Sequence, residues 1–339
     1  MNYTIIPTYA IVLDMKTDTA KKIIEYITQN TQASPKDLYN LLSISPRAVF
    51  KQLSVLCKKK LIQKIGHPPK VYYTITSHEP LRKTVDLDEE TKLLIEKNFY
   101  YISPVGQEKI GLDGFEAWCH KQNLETAKTA REYITTLTKY EQYKKNDLIN
   151  GMHKMSTTFD RVMLDKLFYL DFYAIERFGK TKLGQLLLLA KSSQNKKQIT
   201  ALIEMIAPQV KNIIKEFNID AVGFIPPTVK REVQFMNELK KRLPIKQRLL
   251  SIIKAKTSII VAQKTLNKLQ DRIDNARQTI IVEDKTPFDN ILLIDDAVGS
   301  GATLNETAAQ IKRKKICHGK IIGLAIVGSF KGFDIISEV

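Results

Sequence analysis

The residue types best suited to chemistry fall together in residues 290–304, where an apolar run is followed by two carboxylates and a loop of small residues. The apolar run, 291–294, predicts a short buried parallel strand, and ligands of open α/β sheets bind beyond the carboxyl ends of such strands. Asp295 and Asp296 follow this strand directly. Their carboxylates could accept hydrogen bonds from vicinal sugar hydroxyls, either directly or through a divalent cation.

The loop after the two carboxylates has the composition of a phosphate site. Its residues have little bulk, so that consecutive backbone N–H groups can turn toward one anion: Val298, Gly299, Ser300, Gly301, Ala302 and Thr303. The hydroxyls of Ser300 and Thr303 can add donors, and helical spacing over 304–315 places the loop at a helix N-terminus, which favours anions. A solvated turn and a loop for another phosphate ligand are the alternatives. The stretch lacks both the Gly-Lys-Ser/Thr ending of nucleotide triphosphatase loops and the dinucleotide-binding glycine pattern.

A strand, two acids, a small-residue loop and a helix, in this order, resemble the type I phosphoribosyltransferase family. That resemblance implies an α/β domain with a mostly parallel sheet and flanking helices, and 5-phosphoribosyl 1-pyrophosphate as ligand. In the family, Mg²⁺ bridges pyrophosphate and ribose hydroxyls, so Asp295 and Asp296 are the expected metal-site and catalytic residues, in direct or indirect contact with the ion. The 5′-phosphate would bind in loop 299–303. An active member displaces pyrophosphate from C1 of the ribose, mainly by positioning.

Two further segments narrow the resemblance to the ComF-like branch of this family. Residues 220–237 match a strand, a proline-containing loop and a helix, which implies that Pro227, Thr228 and Arg231 lie near the pyrophosphate. Residues 263–275 match a segment that closes over the site, which makes Lys264 and Arg272 candidate catalytic residues that neutralise the pyrophosphate. Each of these basic residues could equally be a surface residue of a positively charged protein. The chain departs from the branch in lacking an N-terminal cysteine cluster. Its Ile-Pro-Pro-Thr loop leaves pyrophosphate handling open, and the absence of an obvious base-binding hood in the sequence leaves the acceptor open.

The net charge of the chain favours a polyanionic partner. Of 339 residues, 53 are basic and 36 acidic, which gives a formal net charge of +17. Such an excess favours nucleic acid first and an anionic membrane second. No apolar run reaches the length of a membrane span, and we expect a cytoplasmic protein. The three cysteines suit reduced thiols, and no Cys/His spacing predicts a zinc site.

Residues 17–76 resemble the winged-helix domains of bacterial regulators. Helical spacing over 18–28 and the pairs Ser34-Pro35 and Ser45-Pro46 predict three helices. The third helix is expected to turn four apolar residues inward, namely Val49, Phe50, Leu53 and Leu56. Residues 61–75 alternate and turn like a two-stranded wing.

The charge pattern of the same segment predicts contact with DNA. No acidic residue lies between positions 44 and 71. We expect Arg47, Lys51 and Gln52 on the solvent face of the third helix, where they could contact bases in the major groove. The lysines are expected to contact DNA phosphates. The predicted DNA-contacting residues are therefore Arg47, Lys51, Gln52, Lys58, Lys59, Lys60, Lys64 and Lys70. A basic, solvated helical hairpin and a winged helix that binds protein are the alternatives.

The chain is expected to have three parts, an α+β winged helix-turn-helix domain (1–78), a helical connector (79–154) and an α/β phosphoribosyltransferase-like domain (155–339). Helical spacing occurs over 88–99 and 124–145 in the connector. The third part shows an apolar 183–189 segment, an amphipathic helix over 199–217, a strand over 221–226 and a helix over 229–243. Strands that alternate with helices predict a doubly wound sheet.

These parts together predict a protein associated with DNA or another nucleic acid that carries a ribose-phosphate site. It could regulate transcription in response to its ligand, since bacterial purine repressors also join a winged helix to a phosphoribosyltransferase domain. It could also be an antiviral defence effector, similar to the phosphoribosyltransferase-type accessory proteins of retrons. The alternative is an active Mg²⁺-dependent phosphoribosyltransferase. In each case we expect a homodimer or a complex with a partner, and no membrane association.

Overall fold

The computed structural model describes residues 18–59, 61–76, 86–227, 231–255, 266 and 268–329. The chain divides into two compact units, residues 1–85 and 86–339. Each unit has its own cluster of buried apolar side chains, so the two are described separately. The domain boundaries expected at 78 and 154 stay predictions.

The described residues of the first unit form three helices and a three-stranded antiparallel sheet of order β1-β3-β2. In chain order its elements are α1 (Asp18–Asn30), β1 (Gln32–Ala33), α2 (Pro35–Leu42), α3 (Pro46–Lys58), β2 (Ile62–His67) and β3 (Lys70–Ile75). Both serine-proline pairs begin a helix, because the Ser34 hydroxyl accepts the backbone N–H of Asp37 and the Ser45 hydroxyl that of Ala48. The helix starts predicted at these two serines are confirmed.

One of the four side chains predicted to face the core of the first unit is exposed. Val49, Leu53 and Leu56 are buried, as expected. Phe50 is 48% exposed, and its ring contacts Tyr39 edge-on with centroids 6.1 Å apart. One step along an α-helix turns a side chain by about 100°, so Phe50 falls beside the buried stripe and not within it. The prediction that Phe50 faces the core was wrong.

The second unit is a mixed α/β structure around one seven-stranded, mostly parallel sheet. The order is β10-β9-β13-β14-β8-β7-β6, with parallel pairs from β10 to β8 and antiparallel pairs from β8 to β6. The strands are β6 (Lys144–Lys145), β7 (Leu148–Asn150), β8 (Lys166–Phe172), β9 (Ala221–Phe224), β10 (Arg248–Leu249), β13 (Ile291–Val298) and β14 (Ile321–Gly328). Two small antiparallel pairs accompany it, β4 (Tyr100–Ile102) with β5 (Glu108–Ile110) and β11 (Ile252–Lys254) with β12 (Ile280–Val282).

Helices flank this sheet. They are α4 (Glu89–Asn98), α5 (Gly111–Lys121), α6 (Thr126–Glu141), α7 (Met152–Thr158), α8 (Lys182–Ser192), α9 (Lys196–Glu216), α10 (Phe235–Arg242), α11 (Leu269–Thr279) and α12 (Ala302–Arg313). The main core cluster joins α8, α9 and α10 to apolar residues of β9, β13 and β14. In the part predicted as a connector, Phe99, Phe115, Trp118 and Tyr133 pack together, and Tyr133 meets Phe178 at 5.1 Å. Residues 86–141 thus belong to the same unit as the large sheet and pack against the rest of that unit through Phe178.

Two helices are shorter than predicted. The helix expected over 124–145 ends at Glu141, because Asn146 and Asp147 both have positive φ and turn the chain into the β6–β7 hairpin. Lys144 therefore lies in a strand, where its ammonium is 3.1 Å from the Asp171 carboxylate. The helix expected over 229–243 begins only at Phe235.

The strand order reverses between β9 and β13. From β9 the chain goes outward through α10 to β10, whereas from β13 it goes through α12 to β14 on the other side. The helices after β9 and β13 therefore leave in opposite directions, which opens a crevice beyond the carboxyl ends of these two strands. Such a crevice is where doubly wound sheets bind their ligands.

Candidate functional site

Asp295 and Asp296 lie in the last half of β13, at the crevice. The preceding residues 291–294 are buried, and β9 and β14 pair with them in parallel on either side. β13 continues through the two acids to Val298, so these lie within the strand and not directly after it. Both acids and Ala297 are half-buried, and the backbone N–H of Asp296 donates to Asp295 Oδ1 at 2.8 Å. The strand thus holds two consecutive carboxylates at its carboxyl end.

A lysine from another helix is bound to one of these carboxylates. Lys191, near the C-terminus of α8, places its Nζ 2.7 Å from Asp296 Oδ2. Only 15% of the Lys191 side chain and 19% of the Asp296 side chain are exposed. An ion pair withdrawn from solvent is screened little by salt, so we expect it to be stronger than an ordinary surface pair.

The carboxyl group of Asp295 is enclosed by protein, although the residue keeps some exposed surface. Burial, and then the nearby charge of Asp296, raise the pKa of Asp295 to about 8. Three other groups lower the pKa of Asp295, namely the Asp296 N–H, Lys191 and Lys254. Burial lowers the pKa of Lys254, at the end of β11, while the charge of Asp295 raises it.

This raised pKa predicts how stability depends on pH. The folded state holds the Asp295 proton up to about pH 8, whereas the unfolded chain loses it near the ordinary value of about 4. Stability contributed by this group therefore falls as the pH rises from about 4 to about 8. Asp295→Asn cannot ionise, and because each pKa unit corresponds to about 1.4 kcal/mol, we expect its free energy of unfolding to exceed that of the native chain by up to about 5 kcal/mol at pH 8. Urea denaturation at several pH values measures this difference, and a gap that does not widen with pH contradicts the assignment.

Residues 298–303 form the predicted small-residue turn between β13 and α12. Gly301 is the N-cap of α12 and has φ 85°, in the left-handed region that favours glycine. A Cβ on Gly301 would lie 2.5 Å from Sδ of Met155, so α7 lies directly against the loop. Ser300 is buried, and its hydroxyl accepts the Ala302 N–H at 3.3 Å, while Thr303 is half-buried. The loop brings backbone N–H groups to the N-terminus of a twelve-residue helix.

A buried lysine lies beside the same loop. Lys154, in α7, is 7% exposed and its Nζ donates to the hydroxyl of Ser329. Ser329 follows β14, and its N–H donates to the carbonyl of Val298 at 3.2 Å. The Lys154 ammonium is therefore held next to the first residue of the loop, where it adds positive charge.

The residues predicted around a pyrophosphate lie in three different settings. Ile225 N–H donates to the Ile294 carbonyl at 2.9 Å, so the half-buried Pro227, two residues on, lies at the same sheet edge as Asp295. Arg231 donates from its guanidinium to the Lys191 carbonyl, which brings it to the helix end that carries the ion pair. Arg272 is buried in α11, and its Nε donates to the Leu266 carbonyl at 2.8 Å. Thr228 and Lys264 lie outside the described residues.

The predicted DNA-contacting residues of the first unit are largely on its surface. Arg47, Lys51 and Lys58 share one face of α3 and are exposed. Lys59, Lys64 and Lys70 are also exposed, whereas Gln52 is half-buried. Lys60 lies outside the described residues. The exposed face of α3 carries two apolar side chains as well, Phe50 and Val55.

Three lysines of the candidate site were not predicted from the sequence. Lys154, Lys191 and Lys254 lie 42 to 142 positions before Asp296 in the chain, and each belongs to a different element. Lys191 directly follows the apolar run of α8, which is the only local feature that distinguishes it. Their approach to the carboxylates and the loop depends on the packing of α7, α8 and β11 and has no signature in spacing.

Two general properties of the described residues bear on the class of site. No helix in the described part is long and apolar enough to cross a membrane. Nor do these residues contain a group of three or more His, Cys, Asp or Glu side chains that could hold a metal ion. A metal at Asp295 and Asp296 would therefore rely on these two acids, one of which already binds Lys191.

The chain has little similarity to known proteins. No family model matches it, and no curated protein matches it. Among solved structures it is similar to a hypoxanthine phosphoribosyltransferase from Staphylococcus aureus, with 14% sequence identity and a TM-score of 0.24. The similarity covers 38% of this chain and 62% of that one, so the chain spans less than two thirds of that protein.

Proposed function

We propose that the unit formed by residues 86–339 binds a 5′-phosphorylated ribose compound in a phosphoribosyltransferase-like fold, and that the first unit binds nucleic acid. The chain would then act as a ligand-responsive regulator or as a defence effector. The observation that carries the ribose-phosphate site is the position of Asp295, Asp296 and loop 298–303 at the reversal of strand order. Carboxylates can accept both vicinal hydroxyls of a ribose, while the loop and the start of α12 suit its phosphate.

Calorimetric titration with ribose 5-phosphate and with 5-phosphoribosyl 1-pyrophosphate tests this site. We expect the variant Asp295→Asn with Asp296→Asn to bind at least 100-fold more weakly, about 3 kcal/mol, since hydrogen bonds to charged groups contribute about 1.5 to 3 kcal/mol each. Asp289→Asn is the matched control, because Asp289 is exposed and precedes β13 at its other end. Equal affinities in the native chain and the double variant place the ligand elsewhere.

The same ligands separate a sensor from a transferase. Release of pyrophosphate from 5-phosphoribosyl 1-pyrophosphate, with Mg²⁺ and a mixture of nucleobases, measures turnover directly. Release that disappears in the Asp295→Asn, Asp296→Asn variant identifies a transferase. Binding without release supports the sensor or effector.

The nucleic-acid proposal depends on the order of elements and on charge. Within residues 18–76, as far as the structure describes them, three helices, a short β1 between the first two and a β2–β3 hairpin after the third follow the order of a winged helix. Its third helix presents Arg47, Lys51 and Lys58 to solvent, and residues 44–76 include no acid that could oppose a phosphate. We therefore propose that α3 enters the major groove and that the hairpin lies along the backbone.

Replacing Lys51, Lys58 and Lys59 with alanine is expected to weaken binding to duplex DNA at least tenfold at about 0.1 M salt. For each phosphate contact that is lost, DNA binding releases about 0.9 fewer counterions. The magnitude of the slope of log K for binding against log salt concentration should therefore fall by about 2 to 3. A mobility-shift series over salt concentration measures both quantities.

The control variant changes Lys21, Lys22 and Lys36 to alanine. It removes the same net charge from α1 and the first turn of α2. Equal losses in the two variants would mean that net charge, and not the face of α3, determines binding.

A further inference from the structure

One carboxylate of the candidate site is already bound by a cation of the protein itself. A divalent cation of the Mg²⁺ type binds through carboxylate oxygens and needs them open toward the ion. Asp296 Oδ2 is instead 2.7 Å from Nζ of Lys191, and less than a fifth of either side chain is exposed. The positive charges of Lys191 and Lys254 both act to lower the pKa of Asp295, against the effect of burial.

Lys191 is held in place by the helix on which it lies and by contacts of that helix end, unlike a flexible surface lysine that forms an ion pair. It occupies the last turn of α8, which packs on β8 and β14. Its carbonyl accepts a hydrogen bond from the Arg231 guanidinium. Three residues on, Gln194 Oε1 accepts the Val233 N–H at 2.8 Å, so the segment after the β9 loop is tied to this helix end at two points. The ammonium is thus held over Asp296 by tertiary contacts.

We infer that Lys191, together with Lys254, takes the place of the divalent cation at Asp295 and Asp296, so that the site binds a ribose 5′-monophosphate group without a metal ion. This inference rests on the proposed ribose-phosphate site. An ammonium group has three N–H donors, and Lys191 can keep its bond to Asp296 while it donates to a ribose hydroxyl or a phosphate oxygen. A ligand with one phosphate and no pyrophosphate needs no Mg²⁺ for charge neutralisation, because the loop N–H groups, the start of α12 and the positive charge of Lys154 lie beside the phosphate position.

The first experiment measures metal binding by the full chain without any sugar ligand. Mn²⁺ is the probe, because its effect on water proton relaxation reports its binding directly. We expect no binding to the native chain at millimolar Mn²⁺. The variant Lys191→Met with Lys254→Met frees the Asp296 carboxylate and should gain a Mn²⁺ site whose dissociation constant lies at least tenfold below the highest Mn²⁺ concentration tested on the native chain. Asp296→Asn in the same background should remove that site. Lys197→Met, an exposed lysine of α9, is the matched control and should behave as the native chain.

Each result of this titration decides the matter. A site in the native chain that Asp296→Asn abolishes overturns the inference, since the lysines then do not exclude the ion. Failure of the double lysine variant to gain a site also overturns it, because the lysines are then not what keeps the ion away. A site that appears only when the lysines are removed supports it.

The second experiment measures ribose 5-phosphate binding in EDTA and in excess Mg²⁺. The native chain should show dissociation constants that agree within about twofold, whereas Lys191→Met should bind at least tenfold more weakly in EDTA and regain affinity with Mg²⁺. An affinity of the native chain that falls tenfold or more in EDTA overturns the inference. Absence of ribose 5-phosphate binding under both conditions counts against the proposed function, and the Mn²⁺ titration still tests the role of the lysines.

Discussion

Gly328→Ala is expected to lower the free energy of unfolding of the 86–339 unit by about 3 kcal/mol, the upper part of the range for overpacked cores. Gly328 ends β14, and a Cβ there would lie 2.3 to 2.5 Å from ring atoms of Tyr169 on β8. Tyr169 cannot move away easily, since it is 2% exposed and Gly151 lies against the other part of its ring. Closely packed interiors have no free volume for the added methyl group.

The single tryptophan of the chain makes this measurement specific. Trp118 belongs to the same unit and contacts Phe99 and Phe178, so its fluorescence during urea denaturation follows that unit alone. Tyr169→Leu in the Gly328→Ala background should regain part of the loss, because a smaller side chain makes room for the methyl group. A Gly328→Ala midpoint equal to that of the native chain would show that the two strands can separate without penalty.

The sequence predicted best those features that depend on neighbouring residues. The pairs Ser34-Pro35 and Ser45-Pro46 predict helix starts, because the serine hydroxyl accepts a free backbone N–H and the proline fixes the first helical residue. Both hydroxyls accept such a bond in the structure. The apolar residues of 291–294, the two acids and the small-residue loop were read as strand, carboxylates and turn, and β13 and α12 follow that order. Sequence patterns are therefore sufficient to predict a feature that one continuous segment forms by itself.

The remainder depends on contacts between distant segments, which spacing does not encode. The Lys191–Asp296 pair joins residues 105 positions apart, and Lys154 reaches Ser329 across 175. Lys144 was placed in a helix, yet the positive φ of Asn146 and Asp147 turns it into a strand beside Asp171. Phe50 looked apolar enough for the core, but its angle on α3 leaves it exposed. In each case packing outweighed the preference of the residue type.

Gly301→Ala is expected to lower the stability of the 86–339 unit by about 2 kcal/mol and to weaken ribose 5-phosphate binding at least tenfold. The reason is twofold, because Gly301 has φ 85° and an added Cβ would lie 2.5 Å from Sδ of Met155. If the loop relieves that contact by moving, its N–H groups and the start of α12 turn away from the phosphate position.

Gly106→Ala separates the two causes. Gly106 has a similar φ of 78° in the turn between β4 and β5, and a Cβ there meets nothing within 4 Å. It should lose about 1 kcal/mol from backbone strain and keep its affinity for the ligand. Calorimetry and Trp118 fluorescence on both variants give the comparison. If Gly301→Ala binds ribose 5-phosphate as tightly as Gly106→Ala, loop 298–303 does not hold the phosphate. Binding would then have to depend on the carboxylates and lysines alone, so this one substitution distinguishes a site that spans β13 and α12 from one confined to the strand.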